Sequence, residues 1–221
     1  MGWLKQVLGL EAPKCAGKNA GVSYEPELPL CVALGSKVCI TPDLKGVLAG
    51  ESDIIVPDDD TILAIGTLDI GQGSRLIRCY FDNDDYFIQF VMRGPRADDI
   101  EDLQLFGYYD VKTLTSQAQL LSLIGPGSKI GMPYYALEGA EYGRQWGNED
   151  GQAELIALTE KVVSAEGSCS VHHDCILYAR HLGLAHRREF LFLSAETDEP
   201  GNLSLSTAVG VTLELSDISI L

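Results

Sequence analysis

The sequence predicts a β-rich α+β protein in which antiparallel meanders form a sandwich or an open barrel, accompanied by two short helices. Three observations carry that expectation. The stretch 61–93, TILAIGTLDIGQGSRLIRCYFDNDDYFIQFVMR, reads as three strands, about Ile62 to Ile70, Arg75 to Phe81 and Tyr86 to Arg93, separated by the turn chemistry of GQGS and DNDD. Strands joined so tightly pair antiparallel. Within them Ile77, Cys79 and Phe81 point one way and Leu76, Arg78 and Tyr80 the other, while Tyr86, Ile88, Phe90 and Met92 oppose Phe87, Gln89, Val91 and Arg93. Both faces are largely apolar, so the sheet is expected to be covered on both sides. Near the C-terminus, Leu203, Leu205, Val209, Val211, Leu213 and Leu215 fall on odd numbers with Ser204, Ser206, Thr212, Glu214 and Ser216 between them. That alternation predicts one long strand with a buried and a wet face, and Gly210 marks a bulge or bend in it.

The remaining elements follow in chain order. MGWLKQVLGL at 1–10 places Trp3, Leu4, Val7, Leu8 and Leu10 at helical spacing, a short amphipathic helix that either docks on its own domain or serves as a peripheral membrane or partner anchor. Residues 11–29 lack apolar periodicity and read as an extended connector. Leu30 to Ile40 and Ser52 to Val56 are short apolar segments suited to an edge strand or a short helix, and the PDDD at 57–60 is a turn. Leu103 to Tyr109 is strand-like. Ser116 with Gln119 three residues on forms a capping box that opens a helix through Leu120, Leu121, Leu123 and Ile124, ended by Gly125-Pro126. Glu154 to Val163 fits a strand or a helix, and Val171 to Arg180 and Glu189 to Ala195 fit buried strands. The chain is expected to form a single globular unit, or two β-rich halves of about 1–138 and 153–221 joined by the loop 139–152.

Composition narrows the function. Of 221 residues, 32 are acidic and 16 basic, giving a net charge of -16, and such a surface repels phosphate backbones, so no nucleic-acid partner is expected. The basic cluster His186-Arg187-Arg188 is too small to reverse that. The opening ten residues do not fit a secretory signal peptide, and the six scattered cysteines are expected to be reduced, so the expected location is cytoplasmic. No window reaches the ~18 apolar residues of a spanning helix.

Two regions could carry function. Cys169, His172, His173, Asp174, Cys175, His181 and His186 hold all four histidines within fifteen residues, the one concentration of zinc-type ligands, although the spacing matches no zinc pattern. On a strand His173 and Cys175 would share one face, and His172 and Asp174 the other, which splits the set. The second region is EYGRQWG at 141–147, with Tyr134 and Tyr135 just upstream. Tyr142, Arg144 and Trp146 are residue types that dominate binding hot spots, so these five positions are the candidate contacts for a protein partner. The carboxylates at Asp58, Asp59, Asp60 and at Asp82, Asp84, Asp85 follow no calcium-loop pattern, and GQGS lacks the third glycine of a phosphate cradle.

The opening MGWLKQVLGL, the central LDIGQGSRLIRCYFDNDDYFIQF and the EYGRQWG segment together resemble the YjfK-like family of uncharacterised bacterial proteins, over nearly the full chain. The resemblance implies no activity, cofactor or catalytic residue, and only a loose association with envelope stress. The expected function is therefore a non-enzymatic binding or adaptor protein with no cofactor. The alternative is a metal-dependent enzyme holding zinc or another divalent metal through His172, His173, Cys175, His181 and His186.

Overall fold

The computed structural model describes residues 27–147 and 150–221, so the helix expected over 1–10 lies outside the described residues. The central meander forms as its turns dictate. Strands β1 (Lys37–Ile40), β2 (Asp60–Gly71), β3 (Ser74–Phe81) and β4 (Tyr86–Arg93) pair antiparallel in succession. Between β2 and β3, Gln72 at φ 57° and Gly73 at φ 76° form the left-handed two-residue loop of a tight hairpin whose twist matches that of its strands, entered through Gly71 at φ 83°. Between β3 and β4 the Asn83 side chain accepts from the Asp85 amide at 2.9 Å, and Asp84 takes the left-handed conformation at φ 63°.

The chain continues through β5 (Ile100–Leu114), β6 (Tyr134–Leu137), β7 (Ala140–Arg144), β8 (Ile156–Ser164), β9 (Gly167–His181), β10 (Arg188–Asp198), β11 (Leu203–Thr212) and β12 (Ile218–Ile220). Eight of these strands close on themselves in the order β2-β3-β4-β5-β11-β10-β9-β8, and the seam is β8 on β2, from Ala64 opposite Ser164 to Leu68 opposite Glu160. The barrel is thus closed, and no lateral edge is left within the ring. Register shifts at Ile62/Ala64, Val91/Met92 and Thr207/Ala208 supply the extra bend that closure needs. The helix at Gln117–Ile124 (α2) starts at Ser116, whose hydroxyl accepts from the Gln119 amide at 3.2 Å, and stops at Gly125. A shorter helix, α1 (Asp43–Leu48), was not visible in the pattern because its two buried residues, Leu44 and Leu48, make barely one turn.

Most barrel strands bury both faces, for different reasons, whereas the outer face of β8 is exposed at Ala157, Thr159, Lys161 and Val163. The lumen holds Tyr80, Phe87, Phe106, Val162, Val171 and Phe192 among others. Outside, Ile77, Phe81, Phe90, Met92 and Leu105 pack under β1, β12 and α1, and a third cluster with Leu120, Tyr178, Leu191 and Leu193 lies under α2 and the β6-β7 hairpin. The C-terminal segment departs from its expected form. Its strand ends at Thr212 and a short 3-10 turn follows at Leu215–Asp217; of the face expected to be wet, Glu214 and Ser216 are exposed, but Ser204 and Ser206 are buried in the lumen. Serine alternation signals solvent in an open sheet. In a closed barrel it can equally signal the interior. Gly210 is likewise not the bulge: a side chain there would meet the Phe106 ring at 2.4 Å, so glycine leaves room for an aromatic of the core.

β8 and β7 share one edge of β9. β8 covers Gly167 to Cys175, β7 covers Ala179 and Tyr178, and the Gln145 amide donates to the Leu177 carbonyl between them. Trp146 therefore sits where the barrel wall passes from one strand to the other.

Candidate functional site

Inward-facing positions of the barrel strands carry an interior polar network among the aromatic residues. Arg78 on β3, Gln89 on β4 and Gln104 on β5 are directly opposite neighbours across the sheet. Arg78 Nε donates to Gln89 Oε1 at 2.9 Å, Gln89 Nε2 to Gln104 Oε1 at 2.9 Å, and Gln104 Nε2 to Asp102 Oδ2 at 2.7 Å. The direction of this ladder is fixed at both ends, because a guanidinium only donates and a carboxylate only accepts. On the far side of Arg78 lies Glu160 of β8, 1 % exposed, whose carboxylate accepts from Arg78 Nη1 at 3.0 Å and the Tyr80 hydroxyl at 2.8 Å, with His173 Nε2 2.9 Å away. His173 Nδ1 lies 2.9 Å from the Ser194 hydroxyl, and Ser206 donates to Glu196 at 2.7 Å. The guanidinium also lies over the Phe87 and Phe192 rings, 5.4 and 5.0 Å from their centres.

The two glutamates of the lumen, Glu160 and Glu196, shift in opposite directions. Burial alone would raise Glu160, but the Arg78 charge and the hydrogen bonds from His173 and Tyr80 outweigh it and hold its carboxyl at about 2. Burial prevails at Glu196, raising it above the usual 4.5 despite His173 and the Ser206 hydrogen bond. The stability consequences therefore differ in sign. The contribution of Glu160 is present above its unfolded value and is lost as pH falls from 4.5 towards about 2. Glu196 contributes below its unfolded value, and that contribution is lost as pH rises through its raised folded value. Urea midpoints measured from pH 2 to 8 should show a steep acid limb, and Glu196→Gln should be more stable than the parent at pH 8 with the gap closing below pH 4.5. An equal gap at both ends would contradict the assignment.

The ladder ends at a cavity in one mouth of the barrel, beside the β2-β3 turn. It has a volume of about 310 Å3, with Ile70, Leu76, Val91, Leu158, Leu177 and Trp146 among its walls and Arg78, Gln89 and Gln104 as the polar groups it reaches. Ile70 and Ile156 on its rim are each 40 % exposed. Cys175 also lines it, but burial pushes that thiol up to about 11, so it is not a thiolate at neutral pH.

The structure disperses the histidine cluster. His173 and Cys175 face the lumen, whereas His172 and Asp174 are exposed on the outside, with His172 Nδ1 at 3.0 Å from the Thr159 hydroxyl. His181 ends β9, and His186 lies in the following turn at φ 59°. Among the described residues no group of three or more histidine, cysteine or acidic side chains is placed to hold a metal ion. The basic cluster is also divided: Arg187 is buried, with Nη1 2.8 Å from Asp217 Oδ2.

The five aromatic-loop candidates separate as well. Tyr142 is 3 % exposed and donates to the buried Glu189 at 2.6 Å, alongside Arg180 Nε at 2.7 Å and the Ser52 hydroxyl, so it pins the β6-β7 hairpin to β10. Tyr135 packs against Tyr178, ring centres 5.6 Å apart. Arg144 donates to the backbone carbonyls of Gly131 and Gly151. Tyr134 is 64 % exposed, and with Arg144, Trp146 and Asp150 it borders an open groove of about 570 Å3. Trp146 is common to groove and cavity. The network residues Arg78, Gln89, Gln104, Glu160 and Glu196 were not singled out as a site. Their signal was a polar residue between apolar ones on a face that apolar neighbours mark as buried, as with Gln89 between Phe87 and Val91.

Fold and cavity together define a closed antiparallel β-barrel protein with a polar-floored cavity in its mouth. The chain belongs to the family described as protein of unknown function (DUF2491), whose model matches residues 4–219. It is 25 % identical over 201 residues to the uncharacterised protein YjfK of Escherichia coli (strain K12), a span covering 87 % of this chain and 90 % of that relative. No solved structure matches it. Among the described residues no helix is long and apolar enough to cross a membrane.

Proposed function

We propose that this protein is a binding protein that holds a small, largely apolar molecule in the mouth of its barrel and performs no chemistry on it. The supporting observation is the cavity itself. Its volume of about 310 Å3 falls at the lower end of small-molecule sites, roughly 300–1,000 Å3, and its apolar walls with a few convergent polar groups have the composition of such sites. Covering Ile70, Ile156 and Trp146 removes apolar surface from water at about 25 cal/mol per Å2, which gives a ligand a reason to stay. An arginine, two amides and a protonated thiol supply neither a nucleophile nor a general base at neutral pH, which favours binding over catalysis.

A protein partner is the second reading, favoured by Tyr134, whose ring projects 64 % exposed beside the groove at Arg144 and Trp146. One experiment separates the two. Titration with the neutral fluorophore N-phenyl-1-naphthylamine should give a saturable blue-shifted signal at one equivalent. Leu158→Trp, which fills the cavity, should weaken that signal about tenfold or more without changing the circular dichroism, whereas Tyr134→Ala should leave it intact. No saturable signal, or an equal one from Leu158→Trp, rejects the cavity as the seat. Loss of a specifically captured protein in Tyr134→Ala, with fluorophore binding unchanged, would support the groove instead.

A further inference from the structure

We infer that the molecule bound in the barrel mouth carries an anionic oxygen head, of which an organic carboxylate is the simplest case, on a compact apolar body. This rests on the reading of the cavity as a ligand seat. Three features of the floor and wall point the same way.

Among the described residues, Arg78 is the one formally charged side chain that lines the cavity, and its carboxylate partner does not line it. The ion pair is therefore aligned with its positive end towards the opening. Glu160 is also shared, since the Tyr80 hydroxyl donates to it and His173 Nε2 approaches it as closely as Arg78 does. Its negative charge is spread over all three, and the guanidinium is only partly compensated.

The ladder from Arg78 to Asp102 uses each amide oxygen as an acceptor and one hydrogen of each amide nitrogen as a donor. Its direction is forced by its ends, so Gln89 and Gln104 each retain a second N–H. On the wall, the Trp146 Nε1 is buried and has no hydrogen-bond partner among the described residues. A buried indole N–H left unmade costs about 1–3 kcal/mol, and an acceptor arriving with a ligand would recover it. The polar hydrogens available to a ligand thus come from a guanidinium, two amides and an indole. A carboxylate accepts from such a set, a neutral alcohol accepts less strongly, and an ammonium is repelled by Arg78.

The test is competition at pH 8 against bound N-phenyl-1-naphthylamine, using octanoate, octanol and octylammonium, which share one apolar tail. Octanoate should displace the fluorophore at a concentration at least tenfold below octanol, and octylammonium should be the weakest of the three. Gln104→Met and Trp146→Phe should each reduce the octanoate preference several-fold while leaving octanol displacement unchanged, and both spare the buried ion pair. If octanol competes as well as octanoate, or if neither variant alters the preference, the anionic head is overturned and the apolar cavity stands. If the fluorophore itself never binds, both readings fall together.

Discussion

Glu160→Leu should destabilise the protein by roughly 3–5 kcal/mol, the cost of leaving a buried cation without its counter-charge, and that is a large part of a typical domain's total stability. Arg78 is 3 % exposed and cannot deprotonate, so its charge would stay in the lumen facing an alkyl group. The Tyr80 hydroxyl would lose its acceptor and His173 its neighbouring carboxylate in the same substitution. Urea unfolding followed by Trp fluorescence and by circular dichroism measures the effect. Arg78→Met combined with Glu160→Leu should recover much of the loss, because an apolar pair of similar volume removes both desolvation costs together. The recovery should stay incomplete, as Gln89 loses its Arg78 donor and His173 its carboxylate. Should Glu160→Leu alone cost about 1 kcal/mol or less, a value typical of an exposed pair, Glu160 is not buried with Arg78 as described.

What such a network contributes is register. A closed barrel of alternating apolar residues can slide by two residues and still bury its hydrophobic face, since the side-chain period is two. A ladder joining β3, β4, β5 and β8 through Arg78, Gln89, Gln104 and Glu160 is satisfied in one register alone. The same residues that fix register also bring a cation and two amides to the floor of the cavity. Barrel register and the polar chemistry of the cavity floor are here consequences of one set of side chains.

How far the sequence revealed this differs by element. The meander was legible almost to the residue, since its turns are local: Gln72-Gly73 and Asn83 to Asp85 determine their own conformations, and strand ends follow from them. The helix after Ser116 was legible because a capping side chain and its target are three residues apart. Closure was not, because the seam joins Leu68 to Glu160, and no local pattern reports on a pairing over that separation. The wet-face expectation at Ser204 and Ser206 failed for the same reason, and the lumen partners of His173 were hidden by it. Ser206 and His173 read as surface or ligand residues until the ring closes and supplies Glu196 and Glu160 as their neighbours. Trp146 was recognised by type. Its place at the cavity depends on β7 and β8 meeting on β9.

Gly66→Ala tests the seam from the other side. Gly66 lies on β2 opposite Val162, and a methyl group there would stand 1.6 Å from Glu160 Oε1 and 2.7 Å from its Cδ. In an ordinary strand this exchange would stabilise by about 0.4–1 kcal/mol, since alanine has fewer unfolded conformations to lose. A flexible carboxylate could also swing away from a new methyl at little cost. Glu160 is not free to do so, because Arg78, Tyr80 and His173 surround it, and moving it breaks the Arg78 and Tyr80 hydrogen bonds in a buried site. The sign is therefore expected to reverse, with a loss of roughly 2–4 kcal/mol, the range of a broken buried network. The control is the same substitution placed on Arg78→Met with Glu160→Leu. There the carboxylate is absent, a leucine can turn its branch aside, and the penalty should shrink to within about 1 kcal/mol of zero, giving a coupling energy of at least about 1 kcal/mol between positions 66 and 160. A cost of the same size in both backgrounds would mean that Gly66 accommodates the strand and not the glutamate, and that the fit between β2 and β8 is set by backbone alone.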